Sequence, residues 1–162
     1  YIRMIEYKTA VLVGCALQIG AITADADADN QYKLYEFGRN LGIAFQLQDD
    51  YLDVFGEADF GKVHAGDIIE NKKTILYVKA VEAADGNNLI ELNKWYSTKS
   101  DETQKIEVVK KIFKDTKADL AVRLLIEEFT QKAMHFLDKI DVPDSNKTAL
   151  RVLANDLMKR KI

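Results

Sequence analysis

The 162-residue chain carries 23 basic and 26 acidic side chains, a net charge of −3, with 48% hydrophobic residues. This composition predicts one globular domain of the soluble type and lacks the basic surface that nucleic acid requires, so no nucleic-acid partner is expected. The single cysteine, Cys15, excludes an internal disulfide framework and favours a reducing compartment, the cytoplasm. We find no signal peptide and no apolar run long enough for a membrane span.

One proline, eight glycines and almost no period-two alternation predict an all-α protein. The first helix is expected over about residues 2–22. It is small or apolar on nearly every face, which predicts a buried helix, in part against another subunit. Lys8 lies near its middle, so its ammonium either reaches solvent or pairs with an anion.

An acidic connection follows the first helix. Asp25, Asp27 and Asp29 have the spacing of a calcium loop, but Asn30 stands where such a loop needs glycine. We therefore interpret this stretch as an exposed connection whose acids and Asn30 cap the next helix.

The next helix is expected over about residues 31–55. Gly38 and Gly42 lie four residues apart on it and weaken it intrinsically, which indicates close packing of a neighbouring helix or ligand.

The end of this helix carries an acidic stripe with apolar flanks. Asp49 and Asp53 are four residues apart on one face, with Gln46 one turn earlier and Asp50 adjacent. No Lys or Arg occurs between Arg39 and Lys62, so these like charges have no cation within their helix. A divalent cation would relieve the repulsion, and carboxylate oxygens suit Mg²⁺, which also binds substrate phosphates.

Beyond residue 56 the regular pattern stops until about residue 71. Lys62 and His64 lie in this glycine-punctuated stretch, and His64 is interpreted as an exposed loop residue because it has no His or Cys nearby. A helix over about residues 71–84 would place Lys72 and Lys73 in its first turn. Cations there oppose the helix dipole unless an anion such as phosphate binds.

The remaining chain is expected to be scaffold. Residues 85–88 form a predicted turn, and helices follow over about 89–96, from Ser100, over about 119–140 and after the break at Pro143. Trp95 is expected to pack in the core. The helix over 119–140 has a predicted apolar core face at Leu120, Leu124, Ile126, Phe129, Ala133, Phe136 and Leu137.

Four motifs now carry a resemblance. The stretch Phe45–Asp53, which reads FQLQDDYLD, is similar to the second aspartate-rich motif of trans-isoprenyl diphosphate synthases, the polyprenyl synthetase family. Lys8-Thr9 resembles the upstream Lys-Thr pair of that family. Gly61-Lys62 and the stretches 66–68 and 71–74 resemble the loop and helix start that follow the motif.

The resemblance implies an isoprenoid synthase-type helical bundle, usually a homodimer, and a Mg²⁺-dependent prenyltransferase. By the same resemblance, the enzyme condenses an allylic diphosphate with isopentenyl diphosphate. By resemblance, Asp49 ligates Mg²⁺ while Asp50 and Asp53 hold the water shell of that ion. The residues that would contact the diphosphate are Lys8, Lys62 and Lys72, and those that would line the cavity of the carbocation are Thr9 and Gln46.

The resemblance covers about the second half of a family member, so residues 1–162 are expected to form the C-terminal half of one domain. The first aspartate-rich motif is not in the chain, which begins at Tyr1 rather than Met, and the fragment alone is expected to be inactive without its N-terminal half. Two alternatives stay open. One is a terpene cyclase, whose metal motif spaces ligands as Asp49, Asp53 and Glu57 are spaced, and the other is a noncatalytic helical subunit.

Overall fold

The computed structural model describes residues 1–56, 65–97 and 102–159, and within these ranges the secondary structure is helical with no strand, as predicted. The elements in chain order are α1 (Ile2–Ile5), a π-helical turn (Glu6–Ala10), α2 (Val11–Thr23), α3 (Ala28–Phe55), α4 (Gly66–Ile69), α5 (Ile75–Ala83), α6 (Gly86–Ser97), α7 (Glu102–Asp115), α8 (Ala118–Asp138) and α9 (Asp144–Met158).

The described residues divide into two compact units. The first unit comprises residues 2–48 and 125–159, and the second comprises residues 49–124 together with Tyr1. Helix α3 contributes its first 21 residues to the first unit and its last turns, with the acidic stripe, to the second.

Glycines bring α2 and the preceding π-helical turn close to α3 in the first unit. A Cβ at Gly38 would lie 3.0 Å from the Cα of Gly14, and one at Gly42 would lie 2.8 Å from the Cα of Ala10. These backbone approaches are tighter than side chains allow. The prediction that Gly38 and Gly42 mark a close contact is therefore confirmed.

The first helix is less buried than predicted. The helical stretch from Ile2 to Thr23 is interrupted by the π-helical turn. Only 22% of its most apolar 18-residue stretch is buried. Leu12, Ile19 and Ile22 are at least half exposed on α2.

The stretch from Ile2 to Thr23 is also the one helical stretch in the described ranges that is long and apolar enough to cross a membrane. The expectation that no apolar run is long enough was therefore wrong. Core helices of soluble proteins meet the same criterion.

The core of the first unit joins α3 to α8 and α9. Its buried members are Phe37, Leu41, Ala133, Leu137, Ile140 and Ala154. The predicted core face of α8 is confirmed at Ala133 and Leu137, whereas Leu120 is 50% and Leu124 is 71% exposed. At the start of α8 the buried residues are Ala118, Asp119 and Val122 instead, so the helical spacing indicated the wrong face there.

The connection before α3 is capped as predicted, by Asp27. Its carboxylate accepts the backbone N–H of Asn30 at 2.9 Å and the Asn30 side-chain amide at 2.8 Å, and these bonds hold the pKa of Asp27 below its usual range. Asn30 is not itself the cap, because its Oδ1 accepts the N–H of Asp141.

Two predicted boundaries in the second unit were wrong. Helix α5 begins at Ile75, after Lys72 and Lys73, and Asn71 adopts φ 58, so no helix can start at residue 71. Helix α6 begins at Gly86, inside the predicted turn, where Asp85 Oδ1 accepts the N–H of Asn88. Trp95 is buried, as expected.

Gly42→Ala should destabilise the protein by about 1–3 kcal/mol, because the added Cβ meets the backbone of Ala10 and forces the helices apart. Gly20→Ala is the matched control: a Cβ there meets nothing within 4 Å and should stabilise the helix by about 0.5–1 kcal/mol. Urea unfolding of both variants measures the difference. Equal stability of Gly42→Ala and the wild type would contradict the close packing.

Candidate functional site

The acidic stripe lies on an unbroken helix, so the predicted spacing of its carboxylates exists. Helix α3 runs from Ala28 to Phe55 and carries Asp49, Asp50 and Asp53 near its end. Asp49 is exposed, Asp53 is half-buried and Asp50 is 5% exposed. Tyr51 and Val54, between and beside them, are buried. Holding ionised carboxylates next to an apolar surface requires donors or a cation.

Tyr1 supplies one such donor. Its hydroxyl donates a hydrogen bond to Oδ2 of Asp50. Burial raises the pKa of Tyr1 far above its usual value, and the hydrogen bond to Asp50 and the nearby charges of Asp50, Asp67 and Asp49 raise it further. The phenol therefore stays protonated. It lies near the carboxylates of Asp49, Asp50 and Asp67, which together with Asp53 form the acidic group of the second unit. Sequence reasoning missed Tyr1, since a contact across 49 residues leaves no trace in local spacing.

The segment before α5 supplies a second donor. The backbone N–H of Asp67 donates to Oδ2 of Asp53 at 2.9 Å, and the N–H of Ala65 donates to the Asp53 carbonyl at 2.8 Å. These bonds dock the Ala65–Thr74 segment onto the end of α3. Asp67 carried no predicted role, although it lies in the stretch 66–68 that resembles the loop of the family.

Lys72 pairs with two carboxylates of the Ala65–Thr74 segment. Its Nζ lies 3.0 Å from Asp67 Oδ1 and 2.8 Å from Glu70 Oε2, and hydrogen bonds to Glu70 and then Asp67 raise its pKa. The argument that Lys72 needs an anion to offset a helix dipole is therefore wrong, because this lysine precedes α5 and has carboxylate partners. The side chains of Lys72 and Glu70 are 54% and 62% exposed, and an exposed ion pair contributes at most about 1 kcal/mol, so a phosphate can replace Glu70. Asp67 is only 16% exposed, so its pair with Lys72 is less screened by water.

Thr9 and Gln46 meet in the first unit. The Thr9 hydroxyl donates to Oε1 of Gln46 at 3.3 Å, joining the π-helical turn to α3. Arg39 on α3 also binds this turn, through Glu6 at 2.7 Å. Turns of π-helix within α-helices occur often at functional sites. Lys8 lies in the same turn and is exposed, whereas Lys62 and His64 lie outside the described residues.

The donor set fits a hard cation that keeps part of its water. Asp49, Asp50 and Asp53 offer carboxylate oxygens only, which suit Mg²⁺ or Ca²⁺. Across the described residues no group of three or more acidic, His or Cys side chains is placed to hold a metal ion by itself. Mg²⁺ can bind without such a group, through one or two carboxylates, water and substrate phosphates.

Comparison with known proteins establishes the family. The sequence profile of polyprenyl synthetase matches residues 1–115, well over half of the chain. The chain therefore belongs to the polyprenyl synthetase family, which confirms the resemblance seen in its motifs.

The relatives are named as synthases of prenyl diphosphates. The geranylgeranyl diphosphate synthase of Saccharolobus solfataricus is 36% identical over 154 residues, covering 94% of this chain and 46% of the relative. The geranylgeranyl pyrophosphate synthase of Geoglobus acetivorans is 33% identical, covering 99% of this chain and 48% of the relative. The chain thus spans about half the length of the curated relatives that it matches.

Solved structures confirm the all-α fold. A crystal structure of geranylgeranyl pyrophosphate synthase is 43% identical, with a TM-score of 0.90. The match covers 100% of this chain and 51% of the chain in that structure. Another, from Corynebacterium glutamicum, was solved in complex with isoprenyl diphosphate and magnesium. It is 28% identical with a TM-score of 0.86, over 99% of this chain and 47% of its own.

Asp53→Ala should loosen the Ala65–Thr74 segment, because the N–H of Asp67 loses its charged acceptor. Hydrogen exchange at the Asp67 amide should rise by about tenfold, the effect of losing one bond to a charged group. Asp53→Asn keeps a carbonyl oxygen in place and should exchange more slowly than Asp53→Ala. An unchanged Asp67 amide in Asp53→Ala would contradict this docking.

Proposed function

We propose that this chain is the C-terminal half of a prenyltransferase that condenses an allylic diphosphate with isopentenyl diphosphate. The observation that carries the proposal is the acidic group of the second unit, where protein donors bind Asp50 and Asp53. Lys72 pairs there with Asp67, whose backbone N–H binds Asp53. Family membership and relatives named as geranylgeranyl diphosphate synthases support the same activity.

The proposed cofactor is Mg²⁺. Asp49 is the proposed direct ligand, since it is the exposed carboxylate of the stripe, and Asp50 and Asp53 hold the water of the ion. When bound, the ion neutralises the diphosphate and so makes it a better leaving group. Magnesium and isoprenyl diphosphate in the Corynebacterium glutamicum structure support this choice of cofactor.

The basic residues bind the outer oxygens of the diphosphate. Lys72 would exchange its exposed partner Glu70 for phosphate oxygens at little cost. Lys8 and Lys62 are proposed to contact the same group. Their charges stabilise the negative charge that develops as the allylic C–O bond breaks, the main electrostatic contribution to rate.

Thr9 and Gln46 are proposed to line the cavity in which the allylic cation forms. Their hydroxyl and amide oxygens can direct negative dipole ends at the cation, and their mutual hydrogen bond fixes both side chains. The double bond of isopentenyl diphosphate then attacks the cation, forming a carbon–carbon bond, and the released diphosphate takes the proton lost from the adduct. Apolar surroundings exclude water that would trap the cation.

Activity is proposed to require the half that the relatives possess and this chain does not span. The complete enzyme is proposed to be a homodimer acting in the cytoplasm, with no nucleic-acid partner. The comparisons do not favour a terpene cyclase or a noncatalytic subunit, since the relatives reported above are prenyl diphosphate synthases.

The complete protein, with Mg²⁺, should elongate an allylic diphosphate only when isopentenyl diphosphate is present. Radiolabelled isopentenyl diphosphate and chromatography of the dephosphorylated products measure this. Products formed from the allylic diphosphate alone would identify a cyclase. No metal-dependent diphosphate binding at all would leave only a structural role.

Asp49→Ala is the matched variant in that assay. It removes the proposed direct ligand and should lower kcat by about 10²-fold or more, as expected when stabilisation of developing charge is lost. Asp29→Ala, an exposed acid in the first turn of α3, should leave kcat unchanged. Unchanged turnover of Asp49→Ala would overturn the metal assignment.

A further inference from the structure

A buried lysine on α7 supports the segment that carries Asp67 and Lys72. Lys105 is 4% exposed and lies on the same face of α7 as the buried residues Val109, Ile112 and Phe113. An apolar side chain would be expected on such a face. Burial disfavours the charged ammonium and lowers the pKa of Lys105, so polar partners must offset part of this cost.

The hydrogen-bond partners lie outside α7, and the charge of Glu102 on α7 offsets a further part of the cost. The Nζ of Lys105 donates to Asn71 Oδ1 at 2.6 Å and to the carbonyl of Ile69 at 3.2 Å. It also lies 5.7 Å from the ring centre of Tyr96 on α6, within the range of a cation–π contact. Lys105 thus connects α7 to Ile69 and Asn71, which lie after the docked residues Ala65 and Asp67.

Helix α4 is held from both sides by residues outside the segment. It has only four residues, too few for a stable helix in isolation, although local backbone bonds such as Glu70 N–H to the Gly66 carbonyl shape it. Ala65 before it and Asn71 after it both have φ 58, a left-handed conformation that most side chains disfavour. Asp53 binds the N-terminal side of α4, at Ala65 and Asp67, and Lys105 binds the C-terminal side, at Ile69 and Asn71.

Lys72 directly follows Asn71, the residue that Lys105 binds. Its backbone N–H donates to the Asp67 carbonyl at 2.9 Å, one residue beyond the left-handed Asn71. A change in the path of Asn71 would therefore move the Lys72 ammonium relative to Asp67 and Asp53.

From these contacts we propose that Lys105 is a positioning residue for the diphosphate site, acting through Asn71 and Ile69 to place Lys72 beside the acidic stripe. Lys105 does not touch substrate in this role. The inference rests on the proposed function, which supplies the diphosphate that Lys72 binds.

Lys105→Met in the complete protein tests the role, because methionine fills similar space without the ammonium. Isothermal titration with inorganic diphosphate and Mg²⁺ should show affinity lower by about tenfold, within the range for supporting contacts around a site. In the elongation assay, KM for the allylic diphosphate should rise by about fivefold while kcat stays within about twofold, the pattern of weakened binding. Lys111→Met, an exposed position of the same helix, should change neither quantity.

Two further measurements exclude a general loss of stability. Amide exchange at Lys72 should rise by about fivefold in Lys105→Met while amides of the first-unit core exchange as in the wild type. Asn71→Gly keeps the left-handed backbone but removes the acceptor, so it should weaken diphosphate binding as Lys105→Met does. The double variant should be no weaker than either single variant.

The outcomes separate the two claims. A wild type that fails to bind diphosphate with Mg²⁺ would refute the proposed function and with it this role of Lys105. A wild type that binds, with Lys105→Met equal to it in affinity or in Lys72 exchange, would refute the positioning role alone. Additive losses in the double variant would refute it too, because the two side chains would then act independently.

Discussion

The backbone N–H of Asp67 bound to the carboxylate of Asp53 is the contact on which the acidic group depends. It joins a segment with almost no regular structure to the end of the longest helix in the described residues. Without it, the segment that carries Lys72 would lose one of the bonds that hold it to Asp53. The carboxyl group of Asp53, a proposed metal-site residue, therefore also binds the segment that carries Lys72.

Donors and a cation of the second unit lie next to the end of α3. Two neutral donors bind its aspartates: Tyr1 donates to Asp50 and the Asp67 amide donates to Asp53. Lys72 adds a positive charge that pairs with Asp67 and Glu70. In the proposed function the aspartates hold a divalent cation and the exposed ammonium of Lys72 binds the phosphate, so that metal and lysine together form a clamp on the diphosphate.

Local chemistry made much of this visible in the sequence. The spacing of Asp49 and Asp53, the close approach at Gly42 and the cap by Asp27 all depend on residues a few positions apart or on one helical face. Contacts between distant parts of the chain were not visible. Tyr1 reaches Asp50 and Lys105 reaches Asn71 across long separations, and the backbone turn at Asn71 moved the start of α5 past Lys72. The exposed face of α2 was misjudged because composition shows that a helix is apolar but not what covers it.

The most direct test of the proposed clamp is the distance between bound metal and bound diphosphate. Mn²⁺ can replace Mg²⁺ at oxygen sites, and its unpaired electrons accelerate ³¹P relaxation of a nearby phosphate. With the complete protein and an allylic diphosphate analogue, we predict strong ³¹P relaxation enhancement that Asp49→Ala abolishes. Tight binding of Mn²⁺ and of the analogue with no enhancement, or enhancement that survives Asp49→Ala, would contradict a metal held between these aspartates and the diphosphate.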